Sequence, residues 1–231
     1  EMNHSTVLIT GANRGLGLEF VRQYSKLGWT VLACCRDLDN AKVLKDLQKE
    51  FAALQVFQLD VGDLRDITSL SSQLSNVAID VLINNAGIYR SSSLGNLDVE
   101  AWIESFRINT IAPYKLIEVF LTQIRRGSLK KVISITSKMG SIDDNTSGGS
   151  YIYRTSKTAL NSMMRSLTHD LERDGIATLT LHPGWVKTDM GGSNAWINTF
   201  ESVSGMINQI DKLSSKNSGQ YLDYKGELIK W

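Results

Sequence analysis

The sequence is poor in cysteine, proline, histidine and net charge, and each shortage excludes something. Only two cysteines occur, Cys34 and Cys35, side by side in an apolar stretch. Neighbours on a strand point to opposite faces, so a disulfide between them is not expected, and their spacing is not that of a zinc pair. Reduced thiols are expected, and with them a cytoplasmic setting. His4, His169 and His182 are scattered without ligand spacing, so no metal site is expected. The formal net charge of +1 gives no long-range field for nucleic acid or acidic lipid, and neither is expected as a partner. No apolar run approaches the roughly 18 residues of a membrane span. The stretch EMNHSTVLIT lacks the basic-then-apolar pattern of a secretory signal. Glu1 ahead of Met2 reads as an expression remnant. Two prolines, Pro113 and Pro183, punctuate the whole chain, and no low-complexity linker or composition break marks a second domain.

What is present is an alternation. Apolar residues make up 42% of the chain, enough for a substantial core. Short apolar runs at 5–10, 30–35, 55–60, 79–84, 130–136 and 177–182 read as strands, with an edge strand at 219–223. Between them lie helical patterns at 18–28, 40–51, 64–75, 99–125, 151–173 and 199–213. Such alternation implies an α/β fold, with parallel strands, right-handed crossovers and helices on both faces of the sheet. The strands are almost continuously apolar, as a doubly covered sheet requires.

The turn TGANRGLG (10–17) joins the first strand to the first helix. Its glycines let the backbone approach a pyrophosphate, and the helix start behind them offers unpaired N–H groups. An acidic residue about 20 positions on would favour a free ribose hydroxyl. The second strand ends instead in Cys35-Arg36, and Arg14 lies inside the turn. Two guanidiniums suit a 2′-phosphate, hence NADP(H), although Asp37 is placed to pair with Arg36 and weaken the preference.

Chemistry is concentrated in YIYRTSK (151–157). Tyr153 and Lys157 are four apart and share a helix face, whereas Tyr151 does not. An ammonium beside a phenol stabilises phenolate and lowers its pKa, fitting the tyrosine for proton transfer. Ser137, just after the fifth strand, is placed to hold a carbonyl oxygen. Asn109 is a poor helix former inside a helical stretch, which suggests a polar task. NNAG (84–87) ends the fourth strand at the edge where ligands bind in such sheets. Ile88, Met139, Trp185, Met190 and Trp196 are candidate walls of an apolar pocket.

TGANRGLG, LDV (59–61), NNAG, Asn109, Ser137, Tyr153-x-x-x-Lys157 and HPGWVKT (182–188) occur in order along most of the chain. Together they resemble the short-chain dehydrogenase/reductase family, nearest its Sniffer and C-factor-like carbonyl reductase branch. The resemblance implies one Rossmann-type domain over 1–231, a doubly wound seven-stranded parallel sheet, and a short substrate loop at about 191–213. It implies Tyr153 as acid/base, Lys157 as its modifier and a ribose ligand, Ser137 as the carbonyl-orienting group, and Asn109 as part of a proton relay. Gly11, Asn13, Arg14, Gly15, Leu16, Gly17 and Arg36 would hold one end of the cofactor, with Asp60 and Val61 at adenine. Asn85, Ala86 and Gly87 would line it, and Pro183, Gly184, Val186 and Thr188 would meet the nicotinamide end. The interval from Ser137 to Tyr153 is longer than the family's usual one, and Ser141 is a competing serine. Relatives pair through helices matching 99–125 and 151–173, so a homodimer or homotetramer is an expectation, as is a monomer. The expected activity is NADPH-dependent reduction of a small aldehyde or ketone. The alternatives are a non-catalytic dinucleotide-binding sensor of the C-factor type and an NAD-dependent alcohol dehydrogenase.

Overall fold

The computed structural model describes residues 4–231; the Glu1-Met2 junction lies outside the described residues. Seven strands form one parallel sheet in the order β3-β2-β1-β4-β5-β6-β7. They are β1 (Thr6–Ile9), β2 (Thr30–Cys35), β3 (Leu54–Gln58), β4 (Val81–Asn84), β5 (Lys131–Ile135), β6 (Ala177–His182) and β7 (Gln220–Asp223). The helices are α1 (Gly15–Lys26), α2 (Lys42–Glu50), α3 (Leu64–Gln73), α4 (Val99–Phe106), α5 (Ala112–Val119), α6 (Leu121–Arg126), α7 (Tyr151–Leu171) and α8 (Thr199–Lys212). None is long and apolar enough to cross a membrane.

The period-2 alternation of each strand divides the core in two. Val7, Ile9, Ala33, Cys35, Val81 and Ile83 face α1, α2 and α8 through Phe20, Leu44 and Met206. Leu8, Leu32, Cys34, Leu82 and Val132 face α3, α5 and α7 through Ile67, Leu116 and Leu160. Cys34 and Cys35 therefore lie on opposite sides of the sheet, both free and both buried. Burial pushes the Cys34 thiol up, so it is inert at neutral pH.

The strand order reverses between β1 and β4, the topological switch point at which such sheets bind ligands beyond the strands' carboxyl ends. The glycine turn, Arg36, Asp60, NNAG, Ser137 and HPGWVKT all follow those ends. The expected helix at 99–125 is not continuous. Arg107–Ile111 forms a π-helical turn between α4 and α5, and α6 follows Phe120 as a separate short helix. A π turn accommodates one extra residue and is frequent at functional sites. Its central residue is Asn109. Within the stretch expected as a substrate loop, Thr199–Lys212 is α8, capped by the Asn198 side chain.

Candidate active site

The glycine turn is held by backbone geometry. Gly11 and Gly15 have φ of +60° and +54°, the left-handed region that glycine enters without a Cβ penalty. A Cβ on Gly17 would lie 2.1 Å from the Gly11 carbonyl oxygen, so the turn closes only with glycine there. Arg14 caps α1 in an extended conformation and its side chain makes no cap hydrogen bond. No acidic residue occupies the first turn. The first N–H groups of α1, from Gly15, Leu16 and Gly17, thus face outward without an intrahelical partner. Asn13 and Leu16 are half-buried beside them.

Arg14 and Arg36 are exposed, and neither joins an ion pair among the described residues. Asp37 does not neutralise Arg36. Its carboxylate accepts instead from the Asp39 N–H, at 3.0 Å, and from the Asn40 amide. At the end of β3, Asp60 accepts from the Gly62 N–H at 2.9 Å, and the Asp60 N–H donates to Asp66 at 2.6 Å. Val61 follows, packed against the core.

NNAG is bolted to the glycine turn. The Thr10 hydroxyl accepts from the N–H groups of Asn85 and Ala86, each at 3.0 Å. The Asn85 amide donates to the carbonyls of Thr10 and Gly11 at 3.1 and 3.2 Å. Asn85 thereby shapes the crevice through the backbone of its neighbour. A Cβ on Gly87 would come within 3.2 Å of Asn109 Oδ1 and 3.6 Å of Lys157 Nζ, so the lysine head sits directly behind this glycine.

Asn109, 1% exposed, spends its whole side chain on protein. Oδ1 accepts from the Ile88 N–H at 2.9 Å, and Nδ2 donates to the Ile88 carbonyl at 2.9 Å and to Ser156 Oγ at 3.0 Å. It ties the end of β4 to α7, one residue before Lys157. The π turn makes that reach available; a regular helix would rotate the side chain elsewhere.

Lys157 is buried and donates to the Ile135 carbonyl at 3.1 Å. Its Nζ lies 5.7 Å from the centroid of the Tyr153 ring. Burial lowers the Lys157 pKa to about 8. The Tyr153 phenol departs from the expected acidification: burial raises it to about 12, the nearby Ser137 hydroxyl opposes this, and the neighbouring Tyr89 adds to it. Desolvation sets the direction of the shift, and Tyr153 is a neutral phenol at physiological pH. The Tyr89 ring packs 5.1 Å from it.

The two serines have different partners. Ser137 caps the short turn Lys138–Gly140, accepting from the Met139 N–H at 3.0 Å, with its hydroxyl near the Tyr153 phenol. Ser141 donates to the Lys230 carbonyl and accepts from the Asp144 N–H at 3.2 Å. It is 1% exposed, and its hydroxyl is committed to these two partners.

At the end of β6 the Pro183 carbonyl accepts from Ser202 at 2.6 Å. Gly184 has φ +82°, and a Cβ there would lie 2.7 Å from Ile197 Cδ1. Val186 bridges to Ile197, folding the segment back on itself. Thr188 accepts from the Gly191 N–H at 3.0 Å, and its methyl comes within 3.6 Å of the position a Gly15 Cβ would take. The segment therefore spans the crevice to the glycine turn. Trp185 and Trp196 meet edge-on at 5.5 Å above it, both well exposed. Met139 is not with them. It lines a cavity of about 440 Å³ with Ile142, Arg154, Thr158 and Ser162, on the face of α7 opposite Tyr153 and Lys157.

Sequence reading did not single out Thr10, Tyr89, Ser156 or the Ile135 carbonyl. Each acts through a partner distant in the chain. Only Tyr89 carried a local signal, an aromatic two residues after NNAG.

The chain is similar to proteins of known name in sequence and in fold. The chain is 44% identical over 154 residues to C-signal of Myxococcus xanthus, covering 66% of this chain and 93% of that one. The NADPH-bound carbonyl reductase from chicken fatty liver is 35% identical, with a TM-score of 0.92 and full coverage of both chains. The carbonyl reductase Sniffer of D. melanogaster is 33% identical, with a TM-score of 0.93 over 99% of this chain and 100% of that one. The family model for short chain dehydrogenases matches residues 5–196. That span runs from the first strand through the glycine turn, NNAG, Ser137, Tyr153 and Lys157 to Trp196, and the chain belongs to the short-chain dehydrogenase family.

Proposed function

We propose that this oxidoreductase is an NADPH-dependent carbonyl reductase acting on small aldehydes or ketones. One observation carries the reading: Ser137, Tyr153 and Lys157 converge at the carboxyl edge of the sheet, beside the glycine turn at the switch point. The uncapped start of α1 suits a pyrophosphate, and the unpaired guanidiniums of Arg14 and Arg36 suit a 2′-phosphate. The NADPH- and NADP-bound reductases of similar structure support this choice. When bound, the nicotinamide supplies the hydride. The residues of the chain do the rest. Ser137 donates a hydrogen bond to the substrate oxygen and fixes its direction. Tyr153, protonated at neutral pH, gives its proton to that oxygen as negative charge develops there. Lys157, anchored on Ile135, holds positive charge behind Gly87 and stabilises the phenolate left behind. Asn109 fixes the distance between the β4 end and α7 on which this geometry depends. Tyr89, Trp185 and Trp196 form the apolar approach.

Tyr153→Phe keeps the ring and removes the proton. Turnover of diacetyl and menadione, followed by NADPH absorbance, is expected to fall by about 10³-fold with NADPH affinity within about twofold of wild type. Near-normal turnover would end this mechanism. The likeness to C-signal supports a second reading, a dinucleotide-binding signalling protein. It predicts NADPH binding without consumption on any carbonyl, and it leaves the Tyr153–Lys157 pair without a use. The two buried free thiols suit a reducing, cytoplasmic compartment.

A further inference from the structure

Beyond Thr136 the β5 ladder stops: the Thr136 N–H donates to the Leu181 carbonyl at 2.8 Å, and no strand among the described residues pairs with the peptides that follow. The second of these joins Ser137 to Lys138, and its orientation sets the direction in which the Ser137 side chain leaves the sheet. Both of its polar atoms are held by side chains of the two strands beyond β5. The Tyr221 hydroxyl, on β7, donates to the Ser137 carbonyl at 2.5 Å. The Lys138 N–H donates to Nδ1 of His182, the last residue of β6, at 3.1 Å. A backbone N–H only donates, so Nδ1 is the acceptor and the imidazole proton is on Nε2. His182 is therefore neutral, and burial holds its pKa down to about 4. The charged groups around it are Asp223, Lys138 and Asp144. Asp223 is committed to the Lys225 and Glu227 N–H groups, each at 2.9 Å, and Lys138 to Asp144 at 3.7 Å. Tyr221 is 1% exposed, and its ring packs 5.2 Å from Trp231.

From this geometry we infer that Tyr221 and His182 are positioning residues, a two-sided clamp on the Ser137–Lys138 peptide that aims the Ser137 hydroxyl at the substrate oxygen. The inference rests on the serine's role proposed above. Neither side chain touches the Tyr153 hydroxyl through a hydrogen bond; both act through the peptide. Because His182 directly precedes Pro183 and Gly184, the clamp also ties the serine to the segment facing the glycine turn.

The test uses full-length protein with NADPH and two carbonyl probes, diacetyl and menadione. Tyr221→Phe removes one hydroxyl without changing volume, and His182→Leu removes the acceptor. Each is expected to lower kcat about five- to tenfold, the worth of one hydrogen bond, with the KM for NADPH within about twofold of wild type. His182→Asn places an amide oxygen near the position of Nδ1 and is expected to recover most of the lost kcat. A residue needed only for stability would lower the melting temperature without this split between kcat and KM. The deciding comparison is a double-mutant cycle. In a Ser137→Ala background, Tyr221→Phe is expected to change kcat less than about twofold, since the group it aims is gone. Losses that multiply would overturn the clamp, as would undiminished kcat in both single variants while Ser137→Ala is impaired. Full activity in Ser137→Ala itself would instead remove the serine assignment, and the clamp with it.

Discussion

From β1 to β4 the site is made of backbone; from β5 to β7 it is made of side chains. In the first half the shape comes from positive φ at Gly11 and Gly15, the absent Cβ of Gly17, and hydrogen bonds between Thr10 and the NNAG peptides. Its charged groups, Arg14 and Arg36, stand in solvent. In the second half each group is aimed by a partner far away in the chain: Asn109 on Ser156, 47 residues on, and Tyr221 on Ser137, 84 residues back. Its titratable groups, Tyr153, Lys157 and His182, are largely withdrawn from solvent and displaced from their ordinary values. A cofactor that is the same for many enzymes is met by a local turn. In the proposed reaction the substrate carbonyl is met by an assembly that depends on the whole fold.

The sharpest way to break this comparison is through the two serines. Ser137→Ala is expected to lower kcat about 100-fold, the scale of losing one polarising donor. Ser141→Ala is expected to leave kcat within about twofold and to lower stability by about 1 kcal/mol, through its bonds to Lys230 and Asp144. Steady-state kinetics and thermal melts on the pair check both. The reverse pattern would move the catalytic serine four residues on. A smaller effect tests the backbone half. Arg36→Asp is expected to weaken NADPH binding about 30-fold, as charge-assisted hydrogen bonds to a phosphate are lost, and NADH binding less than about threefold. Fluorescence titration with both nucleotides reads this directly. Equal losses would mean that Arg36 does not meet the 2′-phosphate.

How much of this was legible in the sequence follows the same division. The parallel sheet was readable because doubly covered strands are apolar throughout, as TVLACC and VLIN are. The glycine turn was readable because a local conformation leaves a local mark. Tyr153 and Lys157 were readable because one helical turn links them. The broken helix at 107–111 was not, since a π turn in RINTI has the composition of an ordinary helix and follows from what Asn109 must reach. Ser137 was preferred over Ser141 because it directly follows β5; the different partners of the two, Tyr221 on the Ser137 carbonyl and Lys230 on the Ser141 hydroxyl, come from the C-terminal segment and leave no local mark. The upward shift of Tyr153 needed burial, which no spacing reveals; the ammonium alone implied the opposite sign.

Lys157 offers the mildest perturbation and separates its two roles. Its folded pKa of about 8 lies below its ordinary value of 10.5 because burial disfavours the ammonium. Below that pKa the lysine is charged and available to ribose and phenolate; above it the charge is lost. The kcat/KM for NADPH, which reports the free enzyme, is therefore expected to fall about fourfold between about pH 7 and about pH 8.5. Stability moves the other way. Between the folded and unfolded pKa values the unfolded chain binds more protons, so this lysine's contribution rises with pH. Lys157→Met removes the buried charge and should make the folded protein more stable than wild type at neutral pH. The gap should narrow as pH rises through about 8, with the titrating cysteines and tyrosines common to both proteins and cancelling in the difference. Activity lost and stability regained over one pH interval would identify a single ammonium behind both. A flat kcat/KM across that interval would show that the charge on Lys157 is not what the cofactor meets.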